Sequence, residues 1–126
     1  MNMPTPERSV VIERTGAMLQ TVKDVRQAIE DAEASCLQFQ RLIEQGASLE
    51  EAFSSLEVCD QRRTLNGRLE ALERARLSVR RSVIAMGVSE GVSLGKMARM
   101  WGVSRQLVTR MARPDHPREE VAVASA

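Results

Sequence analysis

Aromatic residues are nearly absent from this chain, which has a single Trp, no Tyr and an aromatic fraction of 2%. The hydrophobic fraction is 43%, so a core must be built from Leu, Val, Ile, Met and Ala. These residues favour helices over a β-sandwich or barrel. The Asn66–Gly67 pair has no alternating apolar residues beside it, as a hairpin would require. We therefore predict an all-α protein.

Residues that build metal, disulfide or catalytic sites are also scarce. Cys36 and Cys59 form no Cys-x-x-Cys motif, and His116 is the only histidine. This composition argues against a zinc site and is typical of a reduced, cytosolic protein. We find no signal peptide and no apolar run long enough for a bilayer, so we expect no membrane partner. Without paired histidines or a phosphate loop, we expect neither an enzyme nor a cofactor or metal.

The net charge of +1 hides an asymmetry between the two halves of the chain. Residues 1–60 carry 5 basic and 11 acidic side chains, whereas residues 61–126 carry 13 basic and 6 acidic ones. One interpretation is that only the second half meets a polyanion. The other is that the two halves form solvated helices with complementary charges.

Residues 8–45 contain no proline and repeat apolar or small side chains in steps of four and three. The stripe consists of Val11, Thr15, Met18, Val22, Val25, Ile29, Ala32, Cys36, Phe39 and Ile43. This heptad pattern predicts a helix of roughly 55 Å with a coiled-coil seam. A helix of this kind needs a partner to be stable. Cys36 on the seam is either a redox switch or a small buried hydrophobic residue.

Gly46 is expected to end this helix, and the Ser48/Glu51 capping box to begin a short one. A second long helix is predicted from about residue 60 to 88. Its stripe is Leu65, Leu69, Leu72, Arg76, Val79, Val83 and Met86. Arg76 in this stripe either sets the register or oligomeric state or extends from the edge of the seam.

We interpret residues 8–78 as an antiparallel, coiled-coil helical hairpin that pairs two copies of the chain. A disordered lead over residues 1–7 precedes it, and a disordered tail over residues 114–126 closes the chain. The predicted dimerisation residues are Val11, Met18, Val22, Val25, Ile29, Leu65, Leu69 and Leu72.

The stretch "SLGKMARMWGVSRQLVTRMAR" predicts two short helices joined by a tight turn. Ser93 is expected to cap the first helix, residues 94–101, and Gly102 to follow it with a left-handed backbone. Ser104 is expected to cap the second helix, residues 105–113. Trp101 falls on the apolar face of the first helix, which favours a core position over stacking on a base.

Seven positions of this stretch have the residue types of one known motif: Met97, Ala98, Trp101, Gly102, Val103, Val108 and Met111. The pattern resembles the helix-turn-helix DNA-binding family. "WGVSRQLVTR" is similar to the turn of sigma factors and Hin-type recombinases. The resemblance implies a three-helix DNA-binding domain over residues 79–113, whose first helix is the end of the second long helix.

The resemblance also implies that helix 105–113 enters the major groove of double-stranded DNA. It assigns eight DNA-binding residues: Lys96, Arg99, Ser104, Arg105, Gln106, Thr109, Arg110 and Arg113. Arg105 and Gln106 are expected to read guanine and adenine, and Thr109 to contact a thymine methyl or a phosphate. The other cations are expected to bind phosphate. Upstream, Arg74 is expected to pair with the acidic first helix, whereas Arg80 and Arg81 are open between such pairing and phosphate.

These expectations describe a cytoplasmic, nucleoid-associated transcription regulator, bacterial or from phage, that binds DNA as a homodimer. The alternative is a coiled-coil adaptor, or a recombination or segregation accessory factor. Its long helices would bind a protein partner while it holds DNA without sequence preference. A third interpretation is that the C-terminal module contacts protein instead of DNA.

Overall fold

The computed structural model describes residues 3–113, and this part of the chain consists of helices, turns and short connections without a strand. Its helices are α1 (Pro6–Glu44), α2 (Leu49–Leu56), α3 (Val58–Ser89), α4 (Leu94–Trp101) and α5 (Arg105–Ala112). The predicted all-α class is confirmed. The predicted tail, residues 114–126, lies outside the described residues.

The first helix begins earlier than predicted. Pro6 and Glu7, assigned to the disordered lead, are helical. Thr5 caps the helix, because its Oγ1 accepts a hydrogen bond from the Arg8 N–H at 3.2 Å and its carbonyl accepts from the Ser9 N–H at 2.9 Å. Proline is suited to the first helical position, where no N–H partner is needed.

The short helix α2 has the predicted capping box. Ser48 Oγ accepts from the Glu51 N–H at 3.1 Å, and the Glu51 carboxylate accepts from the Ser48 N–H at 3.3 Å. Only Glu57 separates α2 from α3, and its φ of 50° lies in the left-handed region. The Gln61 side chain donates to the Leu56 carbonyl at 2.8 Å. The connection from α2 to α3 therefore consists of one strained residue and is supported by a side-chain hydrogen bond.

The chain divides into two compact units, and α1 and α3 contribute residues to both. Among the described residues, unit 1 comprises 3–19 and 73–113, and unit 2 comprises 20–72. The division in α3 falls after Leu72, six residues before the predicted domain boundary. The first turns of α1 thus belong to the same unit as α4 and α5.

Unit 1 has a core formed by α3, α4 and α5. Ile84 and Val108 are completely or almost completely buried, and Met97, Ala98 and Met111 pack with them. Five half-buried residues surround this cluster: Leu77, Val92, Leu94, Val103 and Leu107.

Polar contacts hold the start of α1 to the end of α3 within unit 1. Arg8 forms an ion pair with Glu90 at 2.8 Å, and Arg14 donates a hydrogen bond to the Ser78 hydroxyl. Because the later residue of α1 meets the earlier residue of α3, these two segments run antiparallel.

Unit 2 has a smaller interior. Its residues in the buried class are Val25, Ala28 and Ala52. Phe39 and Phe53 make an edge-to-face contact with their ring centroids 6.1 Å apart. Asp24 and Arg68 form an ion pair at 3.7 Å. The interior of this unit is therefore made largely of small side chains.

The predicted dimerisation residues do not share one environment. Val25 is buried within the single chain, which makes it unsuitable as a dimer contact. Ile29 and Leu69 are exposed. The remaining residues of that set, Val11, Met18, Val22, Leu65 and Leu72, are half-buried. Cys36 is exposed, so within one chain it is not the buried hydrophobic residue that its seam position suggested.

We predict that Glu57→Gly raises the free energy of unfolding by about 0.5–1 kcal/mol, since glycine removes the left-handed strain but adds unfolded-state entropy. Glu57→Ala is the matched control, because it removes the same carboxylate and keeps a Cβ. Urea unfolding followed by circular dichroism at fixed protein concentration measures both variants. Equal effects of Gly and Ala would show that the backbone conformation at residue 57 is not the cause.

Candidate nucleic-acid interface

The turn between α4 and α5 has the predicted local chemistry. Ser93 Oγ accepts from the Lys96 N–H at 3.1 Å and caps α4. Gly102 follows α4 with φ 71° and ψ 33°, a left-handed conformation that glycine adopts without steric cost. The Val103 N–H then bonds to the Ala98 carbonyl at 3.1 Å. These bonds satisfy the end of α4 and turn the chain within three residues.

Helix α5 is amphipathic over its eight residues. Ser104 caps it by accepting from the Leu107 N–H at 3.1 Å. Val108 and Met111 are buried against the core of unit 1. Burial of this inner face leaves the opposite face of the helix exposed to solvent.

The exposed face of α5 collects most of the predicted DNA-binding residues. A shallow depression of about 610 Å³ is lined by Ser104, Arg105, Gln106, Thr109, Arg110 and Arg113. Lys96 and Arg99 do not line it and lie exposed on α4. We call the residues of the depression the α5 surface. The α5 surface is wide and open, which suits an extended partner better than a small molecule.

The hydrogen bond of Thr109 restricts what its side chain can offer. Its Oγ1 donates to the Arg105 carbonyl at 2.9 Å. A phosphate oxygen requires a donor, and the hydroxyl hydrogen is already engaged. Of the two contacts predicted for Thr109, the apolar contact through its methyl group is therefore favoured.

The charged side chains of the α5 surface are all basic. Residues 91–113 contain five basic and no acidic side chains. Within the described part of the chain, none of these five cations forms an ion pair. The nearest acidic residue in sequence, Glu90, is paired with Arg8. Exposed cations without acidic partners create a positive potential that attracts polyanions.

Contrary to the prediction of a core position, Trp101 is not buried. Its side chain is 37% exposed, and the guanidinium carbon of Arg80 lies 5.7 Å from the ring centroid. This distance is typical of a cation–π contact. The Nε atom of Arg80 is buried without a hydrogen-bond partner in the described structure. The sequence predicted either pairing with the acidic first helix or phosphate binding for Arg80, and no spacing rule would have indicated a contact with Trp101.

Arg76 is exposed, as an arginine at the edge of the seam would be, whereas Arg74 departs from its prediction. Arg76 makes two hydrogen bonds to Glu73 on its own helix, at 2.9 and 3.2 Å, and is exposed. The hydrogen bonding from Arg76, together with its positive charge, lowers the pKa of Glu73. The same hydrogen bonding raises the pKa of Arg76. Arg74 forms no ion pair within residues 3–113, so its predicted pairing with the first helix is not observed.

A groove of about 750 Å³ in unit 1 was missed by sequence reasoning. Leu77 and Met111 contribute apolar lining. The charged lining consists of four arginines and one acid: Arg14, Arg74, Arg81, Arg113 and Glu7. Its residues come from α1, α3 and the end of α5, so no local motif could reveal it. Arg113 lines both this groove and the α5 surface, which extends the basic surface beyond α5.

Within residues 3–113, no group of three or more His, Cys, Asp or Glu side chains is arranged to hold a metal ion. No helix in the same range is both long and apolar enough to cross a membrane. The chain matches no protein-family model, no curated protein and no solved structure. A functional assignment therefore depends on the chemistry of α4 and α5 themselves.

The position of α4 depends on a close approach to α3 at Gly87. A Cβ at this position would overlap the sulfur of the buried Met97. We predict that Gly87→Ala lowers the free energy of unfolding by about 1–2 kcal/mol, because overpacking outweighs the gain in helix propensity.

Gly67→Ala is the matched control, since a Cβ there meets no other side chain within 4 Å. It should raise stability by up to about 1 kcal/mol. Chemical denaturation followed by circular dichroism compares the two. A stabilising Gly87→Ala would contradict the close packing of α3 on α4.

Proposed function

We propose that this chain is a sequence-specific double-stranded DNA-binding protein that acts as a homodimer, in the manner of a bacterial or phage transcription regulator. The observation that carries the proposal is the α5 surface. Arg105, Gln106, Thr109, Arg110 and Arg113 share one exposed face, and the opposite face anchors the helix in the core. No acidic side chain interrupts this face.

The dimensions and chemistry of α5 suit the major groove. An α-helix with its side chains is about 10–12 Å wide, and the groove of B-DNA is about 12 Å wide. In helix-turn-helix proteins the start of the second helix meets the base edges. Arg105 and Gln106 occupy that position in α5. Arginine can bond bidentately to guanine and glutamine to adenine.

The remaining polar residues are assigned to the phosphate backbone. Arg110 and Arg113 lie in the last turn of α5 and just beyond it. Lys96 and Arg99 are exposed on α4 and have no acidic partner among the described residues. Contacts of this kind fix the orientation of a reading helix but carry no sequence information directly. Together they would provide affinity for any duplex, whereas Arg105 and Gln106 would provide the sequence specificity.

The homodimer follows from the small size of the reading element. Eight residues of α5 reach only a few base pairs. Two copies bound to an inverted repeat double the number of bases that are read, and each increases the effective concentration of the other.

The adaptor function is the second candidate because unit 2 leaves apolar side chains exposed, Phe53 and Leu49 among them. Such residues fit a partner protein as well as a second copy. An adaptor would hold DNA through charge alone.

The direct test is selection from a pool of random DNA duplexes. The wild-type chain should enrich an inverted repeat, and Arg105→Ala should lose the preference at one position of each half-site. Its affinity for the enriched site should fall about 5- to 150-fold, because a bidentate contact is worth about 1–3 kcal/mol. Fluorescence anisotropy with a labelled duplex measures the affinity.

Arg62→Ala is the control, since Arg62 is exposed in unit 2 and has the same charge. It should leave the enriched sequence and the affinity nearly unchanged. If wild-type binding is salt-sensitive but no sequence is enriched, the proposal fails and the adaptor function is favoured.

A second prediction separates phosphate contacts from base contacts. Lys96→Ala and Arg99→Ala should weaken binding to all duplexes and leave the enriched sequence unchanged. Each should reduce the slope of log affinity against log salt concentration by about 1, since one fewer counterion is released. Titrations at several salt concentrations measure the slope. A changed sequence preference in either variant would show that α4, not only α5, reads bases.

A further inference from the structure

The groove of unit 1 has apolar side chains on both of its long helices. Val10 of α1 and Val88 of α3 line it, and these residues are 39% and 53% exposed. Leu77 and Met111 add to the apolar lining. The described lining residues all belong to unit 1, so the groove is formed within one compact unit.

The charges that line the groove are not balanced. Four guanidinium groups line it, together with one carboxylate, that of Glu7. Arg14, Arg74 and Arg113 form no ion pair within residues 3–113. The groove therefore has an excess of positive charge that a bound anion would offset.

The charged and apolar residues are distributed unevenly along the groove. The Arg14 side chain donates a hydrogen bond to Ser78, and Arg74 lies about one turn before Ser78 on α3. Val88 lies about 15 Å beyond Ser78 on the same helix. Glu7 lies nearly two turns before Arg14 on the antiparallel α1. The groove therefore has a basic end at Arg14 and Arg74, and the single acid lies towards the other end.

The serine hydroxyls of the lining offer few hydrogen-bond donors. Ser82 Oγ donates to the Val79 carbonyl at 2.7 Å, and Ser89 Oγ donates to the Met86 carbonyl at 2.8 Å. A hydroxyl has only one hydrogen, whereas a guanidinium has five N–H donors. An anion in the groove would therefore be bound by arginines.

We propose that this groove binds an elongated organic acid. Its carboxylate lies at the basic end, and its apolar body lies along Val10, Leu77 and Val88. The groove volume of about 750 Å³ is within the range of small-molecule sites. Such sites combine apolar walls with a few charged or polar groups that fix the orientation of the ligand.

The apolar lining distinguishes this groove from the α5 surface. The α5 surface is lined by polar and basic residues alone, without Val, Leu, Ile or Met. The phosphate backbone of DNA is bound by charged and polar groups, and it would leave Val10, Leu77 and Val88 of the groove in water. An acid with an apolar body covers these side chains and also offsets the excess positive charge.

A ligand in the groove would lie against the end of the proposed reading helix. Met111 lines the groove and packs in the core beneath α5, and Arg113 lines both the groove and the α5 surface. A bound carboxylate adds negative charge beside a residue proposed to bind phosphate, so the acid should weaken DNA binding. This consequence, unlike the binding of the acid, rests on the proposed function.

Isothermal titration calorimetry of the full chain tests the groove with three probes, each below its micelle concentration. Decanoate has a carboxylate and an apolar chain, acetate has the carboxylate alone, and decyltrimethylammonium has the same chain with a positive charge. Decanoate should bind at one site per chain and at least about tenfold more tightly than either of the others. No binding of decanoate, or equal binding of acetate or of the cation, overturns the proposal.

Arg74→Gln and Val88→Ser test the two parts of the lining. Both residues are exposed, so the variants should fold, which circular dichroism verifies. Each should weaken decanoate binding at least about threefold, the first by removing a cation and the second by removing apolar contact. Arg62→Gln and Leu49→Ser are the matched controls, because both residues are exposed in unit 2 and lie outside the groove. An equal loss in the controls overturns the location of the site.

Fluorescence anisotropy with a labelled duplex separates this inference from the proposed function. Decanoate should lower the affinity of the wild type for its enriched site at least about threefold, and the effect should be smaller in Arg74→Gln. Unchanged DNA affinity with decanoate bound contradicts the link to α5. A chain that binds decanoate but selects no DNA sequence supports the groove and overturns the proposed function. A chain that selects DNA but does not bind decanoate overturns the groove alone.

Discussion

The packing of Val108 and Met111 against Ile84, Met97 and Ala98 is the interaction on which the candidate site depends. A helix of eight residues with two arginines is not stable by itself in water. Burial of its inner face provides the stability and also decides which residues point outward. Arg105, Gln106 and Arg110 are presented together because Val108 and Met111 are held in the core. The site is thus a consequence of apolar packing on the opposite side of the same helix.

The two units differ in how many of their large apolar side chains they bury. Unit 1 buries Ile84, Val108 and two methionines, and it carries the polar face proposed to read DNA. Unit 2 buries one valine and two alanines and leaves isoleucine, leucine and phenylalanine in contact with water. Unit 1 thus completes its own core, whereas unit 2 leaves large apolar side chains in water.

Most helix ends were predictable because their signals are local. Ser48, Ser93 and Ser104 cap their helices as predicted, and Gly102 has the left-handed backbone that its position indicated. Each of these features depends on hydrogen bonds within three or four residues. The start of α1 was missed because the composition of residues 1–7 suggested disorder, although Thr5 and Pro6 together form a good helix start.

The sequence by itself determined the helical class, the caps and the residues available to form the face of α5. Tertiary structure alone decided that Val25 is buried while Ile29 is exposed, although both belong to one heptad stripe. It also decided that Arg80 lies over Trp101, and that α1, α3 and α5 share a groove. The physical reason is the separation along the chain between the interacting residues. A cap or a left-handed glycine depends on neighbouring atoms in the chain, whereas burial depends on atoms from residues that are distant in sequence, which a periodic pattern does not specify.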